Sequence, residues 1–396
     1  MSLETLHLKP GREKSVQKGH PWIFSGAVAR VDGMPGLGET VMVKSSTGED
    51  LGLAAYSPQS QIRGRMWSRD ASGQVDVDFL RQRLTQALAM RRQLIPGDET
   101  NALRLVHAES DGIPGLVVDR YADALVMQCL TAGAERWRDD LVELLVELTD
   151  ASGVYERSDV EVRRLEGLEP RVGLLYGSLP ENLVIAENGL KFAVDVTGGQ
   201  KTGFYIDQRQ NRQKLRLAAH GRRVLNCFCY TGAFSIYAAA GGAASVLSVD
   251  SSSEALLTAE ENARLNGFAA GQLAWQAGDV FEVLRTMRDR VQSFDLIILD
   301  PPKFAPTSAQ AKRAVRGYKD INLLAFKLLK PGGLLFTFSC SGGVDADLFQ
   351  KVVAGAALDA GVDARIVDRL HQGTDHPVAL NFPEGAYLKG LVCEVR

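Results

Sequence analysis

Two segments carry the side chains with the most chemistry in them. Phe338-Ser339-Cys340-Ser341 ends one apolar run, and Asp300-Pro301-Pro302-Lys303 ends another. A thiolate is a strong nucleophile toward an electron-poor ring carbon, and a carboxylate on a rigid Asp-Pro-Pro turn can hold the Watson–Crick edge of a base. Together Cys340 and Asp300 predict covalent catalysis on a pyrimidine. The sulfur would add at cytosine carbon-6 and turn the ring into an enamine, while Asp300, protonated or hydrogen-bonded at ring nitrogen-3, would stabilise the charge that develops. The sequence does not identify the base that takes the carbon-5 proton. A buried strand cysteine is the competing reading of Cys340. Its serine neighbours and the following Gly342-Gly343 argue for exposure.

Such residues need rigid strands behind them. From about residue 190 the pattern alternates strand and helix, with apolar runs Arg223 to Leu225, Ser245 to Val249, Phe294 to Leu299 and Gly333 to Phe338. Parallel βαβ units follow, with right-handed crossovers and ligands gathered at the carboxyl ends of the strands. Ala364 to Leu370 and Tyr387 to Val395, joined by the long loop Gln372 to Gly385, suit an antiparallel pair at one sheet edge. Residues 1–74 read as short strands broken by turn residues, a small β barrel. Val77 to Leu94 has helical spacing and ends at Pro96-Gly97. Strand candidates Leu103 to His107, Gly115 to Asp119, Ala124 to Leu130 and Val154 to Glu156, with the helix Glu135 to Leu148, make a small α+β unit. The predicted domains are 1–74, 75–190 and 191–396, in keeping with the length of 396 residues.

The first βα turn of the last domain, Asn226-Cys-Phe-Cys-Tyr-Thr-Gly-Ala-Phe234, lacks G-x-G-x-x-G, so a nucleoside ligand fits it better than a dinucleotide. Asp250 ends the second strand, where a carboxylate can accept both ribose hydroxyls; Asp279 follows the third, where one can accept an adenine amino group. Asn226, Asp250 and Asp279 thus outline a pocket for S-adenosylmethionine. Each Asp has a plainer reading as a helix N-cap. Cys227 and Cys229 alternate along a strand and read as small core residues.

The composition is that of an ordinary globular protein, and a net charge of −3 gives no global nucleic-acid signature. Any basic footprint must be local. Residues 303 to 319 hold Lys303, Lys312, Arg313, Arg316 and Lys319 without an acid, a loop that would grip phosphates. Arg209, Arg212, Lys214 and Arg216 form a second run on a helix, which reads equally as a solvated face. Near the N-terminus Lys9, Arg12, Lys14 and Lys18 precede His20-Pro-Trp22-Ile-Phe24, which suits RNA, although Trp22 and Phe24 also suit a barrel core. Five scattered cysteines with no C-x-x-C pair predict neither disulfides nor a metal site. With no apolar leader and no membrane-length run, the expected location is the cytoplasm.

With these residues assembled, the chain resembles the RlmI-type 23S rRNA 5-methylcytosine methyltransferases along essentially its whole length. The carrying segments are Gly11-Arg-Glu-Lys14 with His20-Pro-Trp22, Glu109-Ser-Asp-Gly-Ile-Pro-Gly115, Thr202-Gly-Phe-Tyr-Ile-Asp-Gln-Arg209, Asn226 to Phe234, Asp300-Pro-Pro-Lys-Phe304, Gly317-Tyr-Lys-Asp-Ile-Asn322, Phe338-Ser-Cys-Ser341 and Asp375-His-Pro377. The resemblance implies a PUA domain, a central α+β domain and a class I, Rossmann-like methyltransferase domain with a seven-stranded sheet. It further implies S-adenosylmethionine as cofactor, 23S rRNA as partner and acceptor, and compatibility with a homodimer. By family motif the cofactor residues would be Asp207, Gln208, Asn226, Phe228, Tyr230, Thr231, Gly232, Asp250, Asp279 and Asp300. Cys340 would be the nucleophile and Asp300 its partner. Pro301, Pro302, Lys303, Arg313, Arg316, Lys319, Lys14 and Trp22 are the residues expected to meet RNA. Other RNA 5-methylcytosine enzymes place a second cysteine directly after Asp-Pro-Pro, where this chain has Lys303, so product release would need another group. Two rivals are a guanine-nitrogen methyltransferase of the same architecture and a catalytically silent RNA-binding assembly factor.

Overall fold

The computed structural model describes residues 3–95, 97, 99–269, 271–304 and 311–396, with the side chains of 311–313 left aside. The chain forms two compact units, one of residues 1–185, 194–206 and 374–385, the other of residues 186–193, 207–373 and 386–396.

The first unit opens with a six-stranded sheet in the order Trp22–Phe24, Ile62–Ser68, Asp50–Tyr56, Thr40–Lys44, Thr5–Leu8, Val28–Asp32. Period-two alternation points Leu6, Leu8, Val41 and Val43 into one small core with Ile23. The helix Val77–Leu94 forms where its spacing predicts, capped by the Asp76 carboxylate, which accepts the Phe79 N–H at 2.9 Å. Beside it lies a five-stranded sheet, ordered Arg171–Gly177, Gly153–Ser158, Ala124–Cys129, Leu116–Tyr121, Ala102–His107. The single helix expected over 135–148 is instead two, Ala132–Arg136 and Arg138–Thr149, because the backbone at Trp137 (φ −96°, ψ 11°) leaves the helical region between them.

Segment 374–385, expected as part of a loop between edge strands, packs in this first unit. The Asp375 carbonyl accepts from the Arg91 guanidinium at 2.9 Å, and its carboxylate accepts the Arg104 N–H at 3.0 Å. Polar residues that read as loop therefore satisfy buried donors.

The second unit carries a seven-stranded sheet ordered Leu273–Ala277, Ser245–Asp250, Arg223–Cys227, Phe294–Leu299, Leu329–Ser339, Lys389–Val395, Ala364–Leu370. The first five strands run parallel, and Lys389–Val395 lies antiparallel to both its neighbours. Leu296, Ile297, Ile298 and Leu299 are all buried, as a central parallel strand covered on both faces requires. Two strands that periodicity did not reveal, Val184–Glu187 and Leu190–Ala193, pair as a short sheet. The basic run on helix Arg209–Ala218 is not a solvated face. Arg209 and Arg212 are buried, and Arg212 grips Glu187 with two bonds of 2.8 and 2.7 Å, while Lys214 pairs with Asp368. Tyr237 also donates to Glu187, at 2.9 Å, which leaves this buried carboxylate well satisfied.

Candidate active site

The carboxyl end of strand Arg223–Cys227 runs into a turn with an unusual backbone. Phe228 (φ 59°), Tyr230 (φ 48°) and Gly232 (φ 76°) are all left-handed. Two non-glycine residues in that region cost about 1–3 kcal/mol each, so the surroundings must impose the shape. They do so by short-range bonds. Asp250 Oδ2 accepts the Tyr230 N–H at 2.8 Å, the Cys229 N–H donates to the Val249 carbonyl at 3.1 Å, and Asn262 donates to the Thr231 carbonyl at 2.8 Å. Gly232 opens helix Ala233–Ala240, and a Cβ there would lie 2.9 Å from both Ala259 and Trp275.

Asn226 lies beneath this turn. Its amide donates to Ser235 at 2.8 Å, and Ser235 meets Ser248 at 2.7 Å. Asn226 Oδ1 and Thr231 Oγ1 are buried and find no hydrogen-bond partner among the described residues. Asp250 is no helix cap: its Oδ1 accepts the Ser252 N–H at 2.9 Å, and Ser252 itself caps the following helix. Asp279 does cap helix Val280–Asp289, accepting the Glu282 N–H at 3.1 Å, and stays exposed. The two acidic turns are linked by a bond from the Gly278 N–H to the Asp250 carbonyl, 2.9 Å. Unsatisfied buried acceptors on a strained turn, flanked by two carboxylates at successive strand ends, fit a nucleoside cofactor.

Asp207 and Gln208 connect this side to the reacting side. The Tyr387 hydroxyl donates to Asp207 at 2.6 Å, and Gln208 donates to Asp300 Oδ2 at 3.0 Å while accepting from Asn211 at 2.6 Å. Asp300 is half-buried, Pro301 buried, and Pro302 and Lys303 exposed. Phe304 packs 4.9 Å from the Tyr318 ring and edge-on to Phe228 at 6.5 Å.

Cys340 follows the fifth strand and is half-buried, whereas Cys129, Cys227, Cys229 and Cys393 are buried. Burial pushes the Cys393 thiol up to about 12 and raises Cys129, Cys227 and Cys229 well above the ordinary thiol value, so these remain protonated. Around Cys340 stand groups that pattern reading did not reveal. The Tyr318 hydroxyl meets Ser341 Oγ at 2.9 Å; burial raises its pKa, hydrogen bonds to Ser339 and Ser341 oppose the shift, and Cys340 and Asp300 add to it. Lys389 lies opposite Ser339 in the antiparallel register and donates from Nζ to the Ser341 carbonyl at 2.9 Å. It is the first residue of a strand whose next four residues are all buried, a place where a lysine ordinarily reads as a strand-end residue facing solvent.

The residues expected at RNA are spread over both units. Residues 303–319 do not form one loop, because helix Ala311–Leu328 begins within them; Ala311-Lys-Arg-Ala-Val-Arg316 contains only residues that a helix accepts without a turn breaker. Arg316 is exposed on that helix, and Lys319 is committed to Asp359 at 2.7 Å. The Arg313 and Lys312 side chains lie outside the described residues. Lys14 is exposed. Trp22 is half-buried, donates to Glu109 at 2.7 Å and packs edge-on against Phe382 at 4.8 Å, whereas its neighbour Phe24 is 50% exposed.

Comparison with known proteins agrees with this geometry. A family model described as S-adenosylmethionine-dependent methyltransferase matches residues 168–391, and one described as a PUA-like domain matches residues 6–69. "Ribosomal RNA large subunit methyltransferase I" of Shewanella denitrificans is 52% identical over 392 residues, covering 98% of this chain and 99% of the relative. The protein of the same name from Shewanella amazonensis is 53% identical over 391 residues, with 98% and 99% coverage. Among solved structures, SMU.776 complexed with SAH superposes with a TM-score of 0.86 at 24% identity, over 100% of both chains, a likeness of fold. The chain therefore belongs to the ribosomal RNA large subunit methyltransferase I family: an S-adenosylmethionine-dependent methyltransferase domain preceded by a PUA-like domain.

Proposed function

We propose that this enzyme methylates carbon-5 of a cytosine in 23S rRNA through a transient bond between Cys340 and carbon-6. We divide the chain for this purpose into an RNA-binding PUA-like domain (1–74), a central domain (75–190) and a catalytic domain (191–396). The observation that carries the reading is the contrast among thiols: Cys340 alone is half-exposed, at a strand end, with Lys389, Tyr318 and Asp300 around it.

Asp250 would hold the ribose hydroxyls of S-adenosylmethionine and Asp279 the adenine amino group, with Phe228, Tyr230, Thr231 and Gly232 forming the floor and Asp207 and Gln208 the far wall. When bound, the cofactor supplies an electrophilic methyl group. The Cys340 thiolate forms a bond to carbon-6, and the carbon-5,6 π pair becomes available at carbon-5. Asp300, oriented by the Gln208 amide, acts in its protonated form: its O–H donates to ring nitrogen-3 and stabilises the negative charge that accumulates there as sulfur adds. After carbon-5 loses its proton, the electron pair re-forms the double bond and expels the sulfur. Pro301, Pro302 and Lys303 border the base, and Lys14, Arg316 and the Phe24 edge of the first domain supply phosphate and stacking contacts.

Methyl transfer to a large-subunit rRNA fragment, followed by nucleoside analysis, tests the assignment. The expected product is 5-methylcytidine, and Cys340→Ala should lose more than ~1,000-fold in rate, about 4 kcal/mol of barrier. Methylguanosine made at the wild-type rate by Cys340→Ala would transfer the assignment to the guanine-nitrogen reaction.

A further inference from the structure

We infer that Lys389 is a positioning residue that holds Cys340 as its thiolate. The inference rests on the reading of Cys340 as nucleophile, and it adds the group that readies it. Strand Lys389–Val395 runs antiparallel to strand Leu329–Ser339, and the register sets Lys389 opposite Ser339, the residue before the thiol. The side chain therefore reaches the segment just past the end of the nucleophile strand. There it is tied down, because Nζ donates to the Ser341 carbonyl at 2.9 Å, one residue beyond Cys340. A lysine held by the Ser341 carbonyl, in electrostatic reach of the half-buried sulfur one residue before it, is a cation for a thiolate.

The charged and titratable groups around the pair, from every element packed against it, agree with that role. Burial is the largest influence on the Lys389 ammonium and lowers its pKa; a negative Cys340 and the Asp345 carboxylate hold it charged, and Lys303 opposes them. Attraction between two groups is mutual, so the sulfur that favours the ammonium is itself favoured as an anion. Tyr318, from helix Ala311–Leu328, lies in electrostatic reach of both Cys340 and Asp300. Neither Tyr318 nor Asp300 brings a positive charge. Among the described residues Lys389 and Lys303 are cations that act on one another here; Lys303 is exposed while Lys389 is partly buried, where a charge is screened less.

The activation step balances simply. The Cys340 S–H bond breaks, its electron pair stays on sulfur, and the proton passes to solvent, while the ammonium keeps its own three protons throughout. The thiolate pair then forms the bond to carbon-6.

The test reads thiol acidity directly and does not depend on methylation. The full-length protein is alkylated with iodoacetamide across a pH series, and the modification of the Cys340 peptide is followed by mass spectrometry; the four buried thiols report unfolding. Lys389→Gln keeps an N–H donor for the Ser341 carbonyl and removes the charge, and Lys389→Arg keeps the charge. The expected result is an alkylation midpoint about one pH unit higher in Lys389→Gln, roughly tenfold slower modification at neutral pH, and a midpoint near the wild-type value in Lys389→Arg. S-adenosylhomocysteine should bind all three proteins equally, which shows the fold intact. An unchanged midpoint in Lys389→Gln would overturn the inference, as would a shift that Lys389→Arg fails to reverse. If the midpoint shifts as expected and Cys340→Ala still methylates RNA at full rate, the role of Lys389 stands and the nucleophile assignment fails; the converse pattern separates them the other way.

Discussion

The two halves of the site are built differently. The cofactor turn is local: Tyr230 is fixed by Asp250, and Asn226 by Ser235 and Ser248, partners contributed by the first two strands and the helix between them. The reacting half is assembled from distant segments, with Gln208 on Asp300, Tyr318 on Ser341 and Lys389 on the Ser341 carbonyl. A local turn stores its specificity in backbone strain. A remote assembly depends on the sheet register that brings its members together, and a single strand order fixes all of them at once.

That contrast can be broken at three points. The largest effect is expected outside both halves, on helix Arg209–Ala218, at Arg212→Met, which leaves Glu187 as an uncompensated buried carboxylate. Its cost should be about 3–5 kcal/mol in chemical denaturation; a loss below 1 kcal/mol would mean that Tyr237 alone satisfies Glu187. On the reacting side, Asp300→Asn keeps the shape and removes the ionisable proton, and kcat should fall roughly 100-fold. S-adenosylhomocysteine affinity should change much less than kcat. On the cofactor side, Asp250→Asn should do the opposite, weakening S-adenosylhomocysteine about tenfold by calorimetry, ~1.4 kcal/mol, with a smaller change in kcat at saturating cofactor. If both variants depress kcat and affinity alike, the two halves are one unit and the comparison fails.

The same contrast explains what the sequence disclosed. The parallel strands were legible because apolar runs such as Phe294 to Leu299 are buried on both faces, and the helix Val77–Leu94 because one stripe of it faces a core. Cys340, Asp300 and Asp250 stood out because chemistry-bearing side chains close apolar runs. Lys389 and Tyr318 did not, since each looks ordinary in its own element and acquires meaning only through a neighbour some tens of residues away. Charge patterns misled for a related reason. Arg212 read as either a phosphate cation or part of a solvated face, whereas it is buried against Glu187, and Lys319 has an ion-pair partner, Asp359, that the sequence did not show. Segment 374–385 read as loop because its role is to satisfy Arg91 and Arg104, more than 250 residues earlier in the same unit, a long-range requirement that leaves no period.

The claim on which the mechanism turns is that Cys340 bonds to the base. Incubation with S-adenosylmethionine and a large-subunit rRNA fragment carrying 5-fluorocytidine measures it, because fluorine cannot leave carbon-5 as a cation and the adduct is trapped. The account predicts a denaturation-stable protein–RNA complex that maps to Cys340 and is absent in Cys340→Ala. Methylated RNA released without any such complex would contradict it.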